Sequence, residues 1–157
     1  MKVLIIYDAT CSSIKRIAQA IAGTLRAEGS VFLSPVEETS RFNLKTVDLL
    51  IVGCPTERLD LTPAMQAYLE SIPAESLNGL LIAAFDTRPC ISVWETGSAA
   101  WSIVRHLEEL GATHISPPES FFVCEGSLEE GELERAAQWA TALLNRAEAD
   151  LRVAENA

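Results

Sequence analysis

The sequence predicts a doubly wound, three-layer α/β/α domain on a five-stranded parallel sheet in the order 2-1-3-4-5. Three observations predict it. Short unbroken apolar runs recur along the chain, at Val3–Tyr7, Leu49–Gly53 and Leu80–Phe85. Such runs belong to strands covered on both faces. Between them, apolar residues fall at helical spacing. The chain has 157 residues, 48% of them hydrophobic, which suits one domain that folds without a metal or a disulfide.

Each element follows from its local pattern. Val3–Tyr7 is the first strand. Ile14, Ile17, Ala18, Ile21, Ala22 and Leu25 form the inner stripe of the first helix, and Gly29 suits its C-terminal end. Val31–Leu33 is a short second strand, and Thr39–Thr46 reads as a polar connection. Leu49–Gly53 is the third strand. Thr62-Pro63 opens the next helix, threonine as cap and proline in the first helical position. Met65, Tyr68, Leu69 and Ile72 form its stripe and Pro73 limits it. After the fourth strand, Ala100, Ile103, Val104 and Leu107 mark a helix that ends near Gly111. The fifth strand lies between His114 and Cys124, interrupted by Pro117-Pro118. Ser127-x-x-Glu130 reads as a capping box for a last helix carrying Leu133, Ala136, Ala140, Leu143 and Leu144 inward. Residues 1–151 form the domain, and 152–157 are expected as a frayed tail. Trp101 and Trp139 are expected to pack.

Charge narrows the function. Lys and Arg number 12 against 22 Asp and Glu, a net charge of −10. A nucleic-acid binder needs a basic face to displace counterions, so nucleic acid is not an expected partner. The same balance disfavours an anionic membrane surface, and no apolar stretch approaches the length of a span. The first residues read as a strand rather than a signal peptide. Four dispersed cysteines without a Cys-x-x-Cys and only two histidines give no metal site. Reduced thiols in a cytoplasmic protein are the simplest reading.

In an open α/β sheet, ligands sit at the carboxyl ends of the strands, at the point where strand order reverses. Three loops converge there: Asp8–Ser13, Cys54–Leu61 and Asp86–Gly97. The first precedes a helix whose unpaired N–H groups suit a phosphate, and Thr10, Ser12 and Ser13 add hydroxyls. Equally, one serine caps the helix while Lys15 and Arg16 reach solvent. Neither the G-x-G-x-x-G nor the G-x-x-x-x-G-K-[ST] loop is present. A response-regulator site would need an aspartate where the chain has Gly53-Cys54. A low-molecular-weight phosphatase loop fails because only four residues separate Cys11 from Arg16, one too few. Trp94, on the third loop, either stacks on a planar ligand or packs over Ile91 and Val93. No catalytic residue is identified.

With these residues in view, the chain resembles a short-chain flavodoxin-domain protein. Val47–Thr56 resembles that family's third strand and Gly-x-Pro-Thr loop, here Gly53-Cys54-Pro55-Thr56. Phe121-Phe122-Val123 and Leu128–Ala136 resemble the end of small flavodoxin domains, and His114–Cys124 has no room for the long-chain insertion. The resemblance implies an FMN-binding one-electron carrier with a redox protein as partner. It implies the phosphate on Asp8, Ala9, Thr10, Cys11, Ser12, Ser13 and Ile14. It implies the ring between Pro55, Thr56, Glu57, Arg58 and Leu59 on one side and Phe85, Asp86, Thr87, Arg88 and Trp94 on the other. The first loop departs from the family's Ser/Thr-x-Thr-Gly-x-Thr at Ala9, Cys11, Ser12 and Ile14, and no aromatic residue stands in the second loop. Those departures motivate a second reading, a domain that has lost FMN and serves as a binding or regulatory module. An FMN-dependent reductase ranks third.

Overall fold

The sheet takes shape around β1 (Lys2–Tyr7), whose last five residues are buried. In the computed structural model, which describes all 157 residues, alternate β1 side chains feed two separate cores. Val3, Ile5 and Tyr7 enter one, and Leu4 and Ile6 enter the other. This is what a period of two requires of a strand covered on both faces. After α1 (Ser12–Leu25), β2 (Ser30–Pro35) pairs parallel with β1 on one side. β3 (Leu49–Pro55) pairs parallel with β1 on the other. Two short 3-10 turns, Val36–Arg41 and Leu44–Thr46, occupy the polar connection between β2 and β3.

α2 (Pro63–Ser71) starts as expected, with the Thr62 hydroxyl accepting from Met65 N–H at 3.3 Å. β4 (Leu81–Pro89) then pairs with β3 and runs four residues beyond Phe85. Residues 86–89, expected in a loop, are therefore strand, because all four find ladder partners on β6 and Asp86 and Thr87 also find them on β3. A one-turn helix, α3 (Val93–Thr96), and then α4 (Ala99–Glu109) follow. The fifth strand position is divided between β5 (Thr113–His114) and β6 (Glu119–Cys124), both parallel to β4. Pro117 and Pro118 lack the N–H that a continuous ladder needs, which separates the two pieces. The predicted order 2-1-3-4-5 is the observed one.

Past β6 the chain differs from expectation. Ser127 does not cap a helix. Ser127–Leu128 is β7, antiparallel to β6. Glu125 and Gly126 both have positive φ, +48° and +82°, the requirement of a tight hairpin turn. α5 (Glu132–Glu155) begins only after Gly131. It also continues through residues 152–155, expected to fray, although those side chains are exposed.

α1 and α5 cover one face of the sheet, and α2 and α4 cover the other. Phe85, Phe121 and Trp139 seat α5 on its face through edge-on contacts with centroids 6.0–6.1 Å apart. Trp139 thus packs as expected. Trp101 does not: it lies on the outer side of α4 with 54% of its surface exposed.

Candidate functional site

At the carboxyl ends of β1, β3 and β4, Asp8, Cys54 and Asp86 lie side by side on the α2/α4 face. Cys54 is in register with Asp86, and Asp8 N–H donates to the Gly53 carbonyl at 2.9 Å. All three are buried. Burial pushes the Cys54 thiol up to about 12; bonds with Thr62 oppose the rise and the Asp8 and Asp86 charges add to it. A thiol this hard to ionise is no nucleophile at neutral pH.

The two carboxylates anchor helices. Asp8 accepts from Thr10 N–H at 2.9 Å, and from the hydroxyls of Thr10 and Thr62. Because Thr62 caps α2, Asp8 ties β1 to the start of that helix. Asp86 accepts from the Ser98 hydroxyl at 2.5 Å and Ala100 N–H at 3.0 Å. The Thr56 hydroxyl accepts from Ala99 N–H at 3.0 Å. Negative charge beneath a helix N-terminus is favourable, so these contacts fix where α2 and α4 begin. The Oδ1 atom of Asp86 is buried without a partner.

α1 is treated differently. Its N-terminal residue Cys11 is extended, no side chain caps the helix, and its first turn has no acidic residue. The first-turn N–H groups therefore have no intrahelical partner. Ala9, Thr10 and Ser12 are exposed and Cys11 is half-buried. The Ser13 hydroxyl donates to the Gly126 carbonyl at 3.4 Å. The Ile14 side chain, expected at the ligand, is buried in the core instead, as is Phe85. Each extends the apolar stripe of its own element.

The second and third loops touch. Glu57 and Asp60 exchange two backbone hydrogen bonds of 2.8 and 2.9 Å around Arg58 and Leu59. Both central residues have positive φ, +48° and +72°, a conformation that costs a residue with a Cβ about 1–2 kcal/mol. Leu59 then pairs with Gly97. Gly97 has φ +69°, and a Cβ there would lie 2.0 Å from the Leu59 carbonyl oxygen, so only glycine allows the approach. Pro55 is in register with Thr87, and Thr56 N–H donates to the Thr87 carbonyl at 2.9 Å. Arg88 donates to the Ser120 hydroxyl at 3.0 Å and the Ile91 carbonyl at 2.9 Å, and its guanidinium sits 5.2 Å from the Phe122 ring centre. Trp94 projects from α3 with 92% of its surface exposed, and Leu59 is 60% exposed. With Trp101 and Arg105 they line a shallow groove of about 340 Å³.

The structure thus joins the second and third loops directly and ties the first to α2 through Asp8. Thr62 and Ser98 fall just outside the loops that the sequence marks, although Thr62-Pro63 reads as a cap. Ser98 carried only the weak signal of a serine before Ala99-Ala100.

An open, doubly wound α/β domain with an uncapped helix after its first strand is the class that this architecture defines. Solved structures agree with it. A flavodoxin from the domain Archaea superposes with a TM-score of 0.80 at 18% identity, over 94% of this chain and 99% of its own. Oxidised flavodoxin 1 from Bacillus cereus gives 0.78 at 20% identity, over 92% and 98%. Rubredoxin oxygen:oxidoreductase from Desulfovibrio gigas gives 0.72 at 20% identity; the match takes 96% of this chain but 37% of that longer one. By sequence, neither a family model nor a curated protein matches. The chain has the flavodoxin-like fold.

Proposed function

We propose that the protein binds FMN and serves as a one-electron carrier. The observation that carries this reading is the uncapped N-terminus of α1, open after β1 in a fold shared with flavodoxins. Converging N–H groups and the positive end of the helix dipole fit a phosphate. Backbone N–H groups of Ser12, Ser13 and Ile14, with the exposed Ser12 hydroxyl, are the donors for it. Thr10 and Ser13 contribute less than their residue types imply, because Asp8 and Gly126 already hold their hydroxyls. Leu59 and Trp94 are the exposed apolar side chains for the ring. Pro55, Thr56, Glu57, Arg58, Thr87 and Arg88 shape the backbone around it.

When bound, FMN supplies the redox chemistry, and the protein's part is to hold it and set its surroundings. The residues fit that division. Cys54 stays protonated, and the buried carboxylates tie the starts of α2 and α4 to the sheet. An acidic surface disfavours added negative charge on the flavin, which lowers its potential. It also favours transient docking to a basic redox protein, for which a small interface suffices. No helix is long and apolar enough to cross a membrane. We place the protein in the cytoplasm on its four free thiols, which are kept reduced there.

The test is direct. Protein mixed with FMN should quench free-flavin fluorescence with a Kd tighter than ~10 μM and elute yellow from gel filtration. A colourless protein that leaves flavin fluorescence unchanged would overturn the proposal and leave the fold as a binding module.

A further inference from the structure

We propose that Cys90 and Cys124 form a reversible disulfide that fastens the start of the third loop to the hairpin beyond β6. The strand register carries the inference. β4 and β6 run parallel, and their last register pair is Pro89 with Val123. Cys124 comes one step later as the last residue of β6, and Cys90 is the first residue beyond β4. Side chains two residues apart on a strand share a face. Arg88 and Phe122 share one, with the guanidinium over the ring; the same alternation, carried one step past the register, brings Cys90 and Cys124 to that face.

The chain bends at Cys90, where Ile91 N–H donates to the Pro89 carbonyl at 2.8 Å. Cys90 is the centre of that turn and only one peptide past the last register pair, which keeps its α-carbon beside the end of β6. Cys124 is the last residue of β6. Neighbouring strands lie ~4.8 Å apart, within the ~4.4–6.8 Å between α-carbons that a disulfide spans. Both cysteines are free and exposed, whereas Cys54 is buried and Cys11 is half-buried against the core. Of the four thiols, this pair alone combines access with adjacency.

The bond would join two segments that shape the crevice. From Cys90 the chain leads to Gly97, which touches Leu59. From Cys124 it leads to Gly126, whose carbonyl accepts from Ser13 on α1. The oxidant is a low-molecular-weight disulfide such as oxidised glutathione. One cysteine thiolate attacks its sulfur–sulfur bond, forming a mixed disulfide and releasing one glutathione. The second cysteine attacks the protein-side sulfur, forming Cys90–Cys124 and releasing the other glutathione. Two protein thiols are oxidised, one glutathione disulfide is reduced, and the two thiol protons pass to the departing glutathiones.

The experiment equilibrates the full chain with reduced and oxidised glutathione at several ratios, alkylates the remaining thiols, and maps peptides by mass. The expected result is the loss of two alkylatable thiols, a linked Cys90–Cys124 peptide, and full recovery with dithiothreitol. Cys124→Ser should abolish the linked peptide and leave Cys90 as a glutathione adduct. Separate glutathione adducts on both cysteines of the unmodified sequence would overturn the proposal. So would links found only between two copies of the chain.

Discussion

Glu132 and Arg135 show how one pair of side chains locks α5 to the edge of the sheet. Glu132 accepts from Phe122 N–H at 2.6 Å, and Arg135 donates to it at 3.0 and 2.6 Å. Arg135 also reaches Glu119 at 2.8 Å and the Ser120 carbonyl. Burial pushes the Glu132 carboxyl up, but the bonds from Arg135 and Phe122 and the Arg135 charge hold it below its ordinary value. A carboxyl held low contributes stability above its unfolded pKa of ~4.3. That contribution is lost as pH falls through the lower folded value. Glu132→Gln should therefore cost ~1–3 kcal/mol at pH 7, and the gap from the unmodified protein should close as pH falls from about 5 to about 3. Urea unfolding across that range measures it; a gap constant with pH would contradict the assignment. Asp8 and Asp86 show where reading single residues stops. A buried carboxylate on a strand end and a ligand contact in a loop look alike in sequence. What decides between them is Thr62, 54 positions from Asp8, and Ser98, 12 positions from Asp86.

At the level of elements, periodicity carried the long helices and the inner strands, because their apolar patterns are local. It did not carry the short elements, whose signals are ambiguous. Ser127-x-x-Glu130 satisfies a capping box, yet Glu125-Gly126 turns the chain into a hairpin and Ser127 pairs with Cys124. Residues 86–89 have no alternating pattern, and they are strand because β6 pairs with all four and β3 with the first two. The second-loop turn is likewise tertiary in origin. Nothing in Glu57-Arg58-Leu59-Asp60 favours two positive φ angles, and contact with Gly97 holds them. Leu59→Gly should remove the strain of a left-handed leucine and raise stability by ~1 kcal/mol, while weakening FMN binding by loss of an exposed apolar side chain. Thermal or urea unfolding and a flavin titration read the two effects separately. A destabilised variant would show that the leucine side chain, not its backbone, matters to the fold.

For the molecule as a whole, the order of the sheet and the meeting of the second and third loops are legible in the sequence, because apolar runs and connection lengths leave few topologies. The open N-terminus of α1 was legible only in part: the helix start was visible, but not which hydroxyls the fold would engage elsewhere. The net charge of −10 acts at this scale. It repels the FMN phosphate during approach, and salt relieves that repulsion. Raising NaCl from about 10 to about 100 mM shortens the Debye length from ~30 to ~10 Å. FMN association, followed by stopped-flow quenching, should then speed up several-fold, while uncharged riboflavin should respond little. An FMN rate that falls with salt would contradict this.

If the N-terminus of α1 holds the FMN phosphate, FMN must bind more tightly than riboflavin, which lacks one. Calorimetric titration of the unmodified protein and of Ser12→Asp with FMN and with riboflavin tests it most directly. An aspartate in the first helical turn favours folding while placing negative charge where the phosphate would lie. The unmodified protein should bind FMN at least ~10-fold more tightly than riboflavin, a difference of ~1.4 kcal/mol. Ser12→Asp should remove this preference and leave riboflavin binding unchanged. Equal affinity for the two flavins, or an FMN affinity indifferent to Ser12→Asp, would contradict it.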